Sequence, residues 1–164
     1  MTSATEYTFL AGGCYFITQH LLRQPEGVIS TRVGWMGGDG DNPTETNSGG
    51  HTEVVEVTFD PTRLTFRKLV EYFLVIHRAD LGQEIVGSIY RSEIFCTSAA
   101  QRAVAQETVR AADASGYWPG RLTTRISVAG RFWPGSPEDH EFLTHFTESK
   151  LAHFRDRQDT TVHG

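Results

Sequence analysis

Cysteine is scarce: the 164 residues hold two, Cys14 and Cys96. Two thiols cannot build a disulfide framework, and in a reducing compartment a reactive cysteine fits better than a structural bridge. A basic excess is lacking too. Fifteen Lys and Arg stand against 20 Asp and Glu, a net charge of −5, which leaves no electrostatic footprint for nucleic acid. No apolar run is long enough to span a bilayer. The stretch Met1-Thr2-Ser3-Ala4-Thr5-Glu6 has neither the basic n-region nor the apolar h-region of a secretion signal. The expectation is a cytoplasmic protein with no membrane and no nucleic-acid partner. Internal repeats and low-complexity tracts are also absent. What remains is ordinary globular composition, 38% hydrophobic and 21% charged. At this length it suits one catalytic domain over residues 1–164, with a core over about 6–149 and a polar tail over 150–164.

What is present is a cysteine in a telling place. Leu10-Ala11-Gly12-Gly13-Cys14-Tyr15-Phe16 puts a thiol between a short strand, Glu6–Ala11, and a segment that can carry a helix, Tyr15–Arg23. There the sulfur meets the positive end of the helix dipole and unpaired backbone N–H groups. That setting is expected to lower the thiol pKa and populate the reactive thiolate. The plain alternative is a small buried cysteine at a strand end.

Further along, Gly27–Trp35 and His51–Phe59 read as strands. The loop Gly37–Gly50 between them lacks Lys and Arg and any GK[ST] ending, so it is no phosphate-binding loop and reads as a mobile surface loop. Thr65 caps a helix over Phe66–His77, with Phe66, Leu69, Val70, Phe73 and Ile76 on one face. A strand is expected over Ser88–Thr97, a helix over Ser98–Ala114, a strand over Thr123–Val128 and a helix over Ser136–Phe146. The order β-α-β-β-α-β-α-β-α points to an α/β (α+β) protein: a ferredoxin-like two-layer α/β sandwich with a mixed sheet.

Several residues could join Cys14. Glu53 opens an apolar strand, where a carboxyl of raised pKa can donate a proton, unless it is simply solvated. His51, two residues earlier, points the same way along that strand. Tyr90 could donate to a developing oxyanion or sit at the core edge. Tyr15 and Phe16 could cage a methyl-sized group or pack the core. The histidines 51, 77, 140 and 145 form no CxxC or HExxH pattern, so no metal is expected.

Taken together, these segments resemble the A-type methionine sulfoxide reductases. The family's Gly-Cys-Phe-Trp signature is similar to Gly13-Cys14-Tyr15-Phe16. Its Pro-Gly-Val, Ser-Thr and Gly-Tyr-x-Gly-Gly elements resemble Pro25-Glu26-Gly27-Val28, Ser30-Thr31 and Gly34-Trp35-Met36-Gly37-Gly38. Its Gly-His-x-Glu-Val-Val…Asp-Pro strand resembles Gly50–Val55 through Asp60-Pro61. Its Gly-[Ser/Thr]-x-Tyr-Arg-Ser-x-Ile block matches Gly87–Ile94. Trp118-Pro119-Gly120, Phe132-Trp133 and Glu138–Leu143 resemble its C-terminal part. The resemblance implies that Cys14 attacks the sulfur of a methionine (S)-sulfoxide, that Glu53 gives the oxygen a proton and that Tyr90 binds it. It implies a cysteine sulfenic acid as intermediate, with Tyr15 and Phe16 around the substrate methyl group and His51 and Glu84 also at the substrate site.

The chain departs from that pattern in places. Phe16 stands for the Trp and Tyr15 for the Phe. Glu45 follows Asn42-Pro43-Thr44 where the family has a tyrosine. Glu84 is the nearest match to an acidic family residue, and Ala152 occupies the place of the resolving cysteine. A divergent member without that cysteine implies no bound cofactor but an external thiol reductant, a thioredoxin-like protein or a small thiol. Cys96 serves only if it lies beside Cys14, and otherwise is buried and inert. The substrate is then a small-molecule or peptide sulfoxide. Two alternatives stay open: Cys14 acting on a different small molecule in a specialised pathway, and a redox-sensing module without turnover.

Overall fold

Why these segments fold as they do is clearest in the third strand. In Thr52–Phe59, Val55, Val57 and Phe59 face one way into the main core while Val54 faces the other, into a smaller apolar cluster. A strand apolar on both faces must sit inside a sheet, and it does. In the computed structural model, which describes residues 5–136, the strands are β1 (Glu6–Gly12), β2 (Val28–Met36), β3 (Thr52–Phe59), β4 (Ser92–Cys96), β5 (Arg125–Val128) and β6 (Trp133–Pro134). The helices are α1 (Tyr15–Leu22), α2 (Phe66–Val75), the single turn α3 (Gln83–Val86) and α4 (Ala99–Ala114). They form one six-stranded sheet in the order β5-β4-β1-β3-β2-β6.

The inner four strands are antiparallel to one another, and β5 lies parallel to β4, which makes the sheet mixed. The order β4-β1-β3-β2 is that of the split βαβ unit expected from the sequence. The main core buries Leu22 of α1, Phe66, Leu69, Val70, Phe73 and Leu74 of α2, and Ala105 of α4 against one face of the sheet. The other face carries Phe9, Ala11, Met36, Val54 and Phe95, with Phe132 against them.

Local chemistry sets the helix starts. Thr65 accepts the Lys68 N–H at 3.2 Å and Ser98 the Gln101 N–H at 3.1 Å, each cap contributing about 1 kcal/mol. Gln101, itself buried, then ties α4 to β1 by donating to the Tyr7 carbonyl at 3.0 Å.

Three expectations change. The strand read over Ser88–Thr97 begins only at Ser92. Gly87 has φ +96° and accepts the Tyr90 N–H at 3.0 Å, which bends Ser88–Tyr90 into a 3-10 turn. The edge pairing of Trp133–Pro134 with Gly34–Trp35 was not read, because two residues with a proline carry no strand pattern. The 37–50 loop is tied down, as described below. The helix expected over Ser136–Phe146 lies, apart from Ser136, outside the described residues, as do His140, His145, Glu138–Leu143 and Ala152. No described helix is long and apolar enough to cross a membrane.

Candidate active site

β1 is one of the two central strands, and it delivers Cys14 to one end of the sheet. Gly13 has φ +100°, a conformation that side chains other than glycine rarely adopt. Gly12 is packed so closely that an added Cβ would lie 2.8 Å from Phe73 and 3.0 Å from His77. Both glycines are therefore required for the chain to pass from β1 into α1. Cys14 is the N-cap residue of α1. Its carbonyl accepts the Thr18 N–H and the Thr18 hydroxyl, both at 3.0 Å. The thiol is half-buried.

The N–H groups of Phe16 and Ile17 pull the thiol pKa down, without closing a hydrogen-bonded cap. They are outweighed. Burial, then the Glu53 carboxylate, push the Cys14 thiol up to about 11. This corrects the expectation of a resting thiolate: the helix end is present, but desolvation of a thiolate costs more than two backbone dipoles return. At neutral pH Cys14 therefore rests as the thiol.

Glu53 reaches the cysteine because β3 lies beside β1, with Leu10 opposite Val55. By alternation Glu53 shares the face of Val55. It is 5% exposed, and its Oε1 accepts the N–H of Tyr15 at 2.8 Å. A buried carboxyl group thus hangs one residue from the thiol, although 38 positions separate Glu53 from Tyr15.

Tyr90 closes the 3-10 turn before β4, the other neighbour of β1, and is half-buried. The Thr52 hydroxyl donates to the Ile89 carbonyl at 2.8 Å, fixing that turn to the residue before Glu53. Cys14, Glu53 and Tyr90 therefore come from the ends of three adjacent strands. Tyr15 and Phe16 divide. Tyr15 is buried against Trp35, ring centroids 6.1 Å apart, whereas Phe16 is half-exposed at its edge, 5.0 Å away. Trp35, opposite Glu53 in register, completes this aromatic wall.

His51 has a different place from the one expected at a substrate site. Its Nδ1 accepts the Gly38 N–H at 3.0 Å, so Nε2 carries the proton and donates to the Gly40 carbonyl at 2.7 Å. Both ring nitrogens hold the 37–50 loop. Arg91 adds to this by donating to the carbonyls of Gly50 and Ser88 at 3.1 and 3.0 Å while pairing with buried Glu93 at 2.8 Å. The loop read as mobile is thus clamped to the sheet. Glu84 is exposed on α3, with its carboxylate over Gly82; the second carboxylate acting on Cys14 is Glu45 of the loop.

Cys96 lies at the far end of β4. The register sets Gly12 opposite Ser92, and four residues of strand carry Cys96 about 13 Å further off. A disulfide needs Cα atoms roughly 4.4–6.8 Å apart, so Cys96 is out of reach. Burial pushes its pKa to about 11 as well.

His77 had no role in the sequence reading beyond excluding a metal motif. Its ring stacks on Phe73, centroids 4.4 Å apart, and abuts Gly12. Nδ1 donates to the Phe73 carbonyl at 2.7 Å, leaving Nε2 to accept from the Ser92 hydroxyl at 2.7 Å, which contacts the Thr124 hydroxyl at 2.8 Å. Burial pulls the His77 pKa down to about 4. No group of three or more metal-ligating side chains occurs among the described residues. A cleft of about 360 Å³ under the loop, between Gly38, His51, Glu93 and Arg131, includes none of Cys14, Glu53 and Tyr90, so the candidate site is the sheet end.

Comparison with known proteins agrees with this arrangement. The sequence profile described as "Peptide methionine sulfoxide reductase" matches residues 6–162. The chain is 44% identical over 158 residues to peptide methionine sulfoxide reductase MsrA 1 of Mesorhizobium japonicum, covering 94% of this chain and 91% of that one. It is 45% identical over 157 residues to MsrA of Nitrobacter winogradskyi, covering 94% and 88%. Its structure superposes on methionine sulfoxide reductase A of Corynebacterium diphtheriae with a TM-score of 0.78 at 30% identity, covering 88% and 76%. Reduced Mxr1 of Saccharomyces cerevisiae, at 20% identity and a TM-score of 0.80 over 90% and 89%, shares the fold. Mxr1 is also known in complex with Trx2, where the TM-score is 0.60 at 19% identity over 87% of each chain. Family profile, relatives over nine-tenths of the chain and fold agree: this chain belongs to the peptide methionine sulfoxide reductase family and is an oxidoreductase of thiol-dependent sulfoxide reduction.

Proposed function

We propose that the chain acts as one catalytic domain in which Cys14 is the nucleophile, Glu53 the proton donor and Tyr90 an oxygen ligand for a methionine (S)-sulfoxide. The observation that carries this is the buried Glu53 carboxyl held 2.8 Å from the N–H of Tyr15, one residue from the thiol. The Cys14 sulfur attacks the sulfoxide sulfur while the oxygen takes a proton from Glu53. The oxygen passes to Cys14, leaving the free thioether and a cysteine sulfenic acid. The proton that Glu53 delivers is the one the Cys14 thiol gives up to its carboxylate, so atoms and electrons balance. A low resting thiolate population fits this scheme, because the thiol still holds the proton that Glu53 relays to the sulfoxide oxygen. Phe16, half-exposed beside Tyr15 and Trp35, forms the wall against the methyl group.

The sulfenic acid needs two equivalents of an external thiol, which leave as a disulfide with one water. With two cysteines in the chain and Cys96 about 13 Å up the strand, no internal partner serves. A thioredoxin-like protein or a small thiol supplies the electrons; Mxr1, which shares the fold, forms a complex with Trx2. A reducing, cytoplasmic setting suits two free thiols. Incubation with methionine (S)-sulfoxide and dithiothreitol should form methionine stoichiometrically; folded protein that forms none refutes the reading.

A further inference from the structure

The turn that carries Cys14 is held from two sides. Beyond the thiol, the Tyr15 N–H donates to Glu53 Oε1 at 2.8 Å. Before it, the tie is Thr18, which sits one turn into α1 and is 4% exposed. Its hydroxyl lies 3.0 Å from the Cys14 carbonyl and 3.2 Å from the Gly12 carbonyl, and donates to both. The first contact is the common back-bond of a helical threonine to the residue four earlier. The second belongs to no helix: Gly12 is six residues back and is the last residue of β1. One proton is thus shared between the carbonyls on either side of Gly13, the residue at φ +100°. A single side chain closes strand end, glycine and N-cap into one ring.

We propose that Thr18 is a positioning residue for the nucleophile: its hydroxyl fixes the Gly12–Cys14 turn, and with it the Cys14 sulfur, against Glu53. This rests on the sulfoxide-reductase reading above, in which Cys14 attacks and Glu53 passes the proton. Attack needs the sulfur on line with the sulfoxide sulfur while the acid stays at the oxygen, and a misplacement of about 1 Å can cost about a hundredfold. Gly13 permits the turn but brings no side chain to hold it. Glu53 alone is a variable mooring, because its carboxyl changes charge as it relays the proton. The Thr18 hydroxyl does not titrate, so its hold is the same before and after transfer. Without that hydroxyl the buried Gly12 carbonyl loses a donor, and the turn can shift toward solvent. A less buried sulfur ionises more readily, since burial is the first cause that keeps Cys14 a thiol. Loss of the hydroxyl therefore slows reduction and speeds simple alkylation.

The test sets Thr18→Ser against Thr18→Ala, which differ only in the hydroxyl, with Thr18→Val as the isosteric control. Single turnovers of methionine (S)-sulfoxide are followed without reductant, so that recycling of the sulfenic acid does not enter. The saturating rate should fall about tenfold in Thr18→Ala and Thr18→Val and stay within about twofold in Thr18→Ser, with the half-saturating concentration unchanged. Alkylation of Cys14 by iodoacetamide should move the other way, about threefold faster in Thr18→Ala and Thr18→Val, while Cys96 stays unmodified. A residue that only stabilised the fold would slow turnover in step with the urea midpoint and expose both thiols. Equal rates and equal alkylation in Thr18→Ser and Thr18→Ala overturn the proposal, as does a raised half-saturating concentration in place of the lost rate. Should Thr18→Ala fail to fold, Thr18→Val against Thr18→Ser decides in the same way. If the unaltered folded protein reduces no sulfoxide, the reductase reading falls. Alkylation then still tells whether Thr18 holds the sulfur, and equal rates in the hydroxyl-bearing and hydroxyl-free variants overturn this proposal separately.

Discussion

Cys14 and Cys96 share a pKa of about 11, and in both burial is the first cause. By their charged neighbours Cys96 has the advantage: Arg102 pulls its pKa down, whereas Glu53 and Glu45 push that of Cys14 up. Yet Cys96 lies 2% exposed inside the sheet, level with Val128, its carbonyl taken by the Ala129 N–H. Cys14 stands past the end of β1, beyond two glycines, where a substrate can meet a sulfur flanked by two N–H groups and an acid. The difference teaches that the two thiols are set apart by what can be brought to each sulfur and not by their resting pKa.

The widest gap should come from replacing each thiol. Cys14→Ser should lower sulfoxide reduction by at least about a thousandfold, as loss of a nucleophile does. Cys96→Ala should keep turnover within about twofold and cost about 1–2 kcal/mol of stability, read by urea unfolding. Next comes Glu53→Gln, which keeps an oxygen to accept the Tyr15 N–H but has no proton to give. It should slow reduction about 10²–10³-fold and at the same time speed Cys14 alkylation, because the carboxylate that opposes the thiolate is gone. A purely structural role would slow both. In the unaltered protein, alkylation of Cys14 by iodoacetamide should rise about tenfold per pH unit from neutrality toward pH 10, while Cys96 stays unmodified until unfolding. A plateau near pH 8 would mean the thiolate is already populated.

The last effect is on stability and not on turnover, and belongs to His77, which packs at the Cys14 end of β1. Its folded pKa, about 4, lies below the usual 6.5, so the unfolded chain binds the extra proton first. The stability from keeping His77 neutral is complete above pH 6.5 and is lost as pH falls toward 4, about 3 kcal/mol in all. Urea midpoints across that window should show the slope, and His77→Gln should flatten it.

Much of this was legible in the sequence. The strands of the split βαβ unit announced themselves through alternation and Gly or Pro boundaries, and the second helix through the capping chemistry of Thr65. What escaped reading was whatever depends on contacts remote in the chain. The thiol pKa follows from how deeply the sheet end is buried, which a helix N-terminus alone does not reveal. His51 was read from its strand parity, but its ring turns to Gly38 and Gly40 of the preceding loop. The rigidity of that loop comes from Arg91, more than 40 residues away. Ser88–Tyr90 looked extended until Gly87 was seen at positive φ.

The protonated state of Cys14 has one more consequence. Peroxides attack thiolates, and each successive oxidation beyond the sulfenic acid is irreversible without dedicated repair. An enzyme that meets oxidised substrates works where such oxidants abound. With Cys14 resting as the thiol at neutral pH, the idle protein offers oxidants little to attack. Burial therefore also shields the Cys14 sulfur from oxidants.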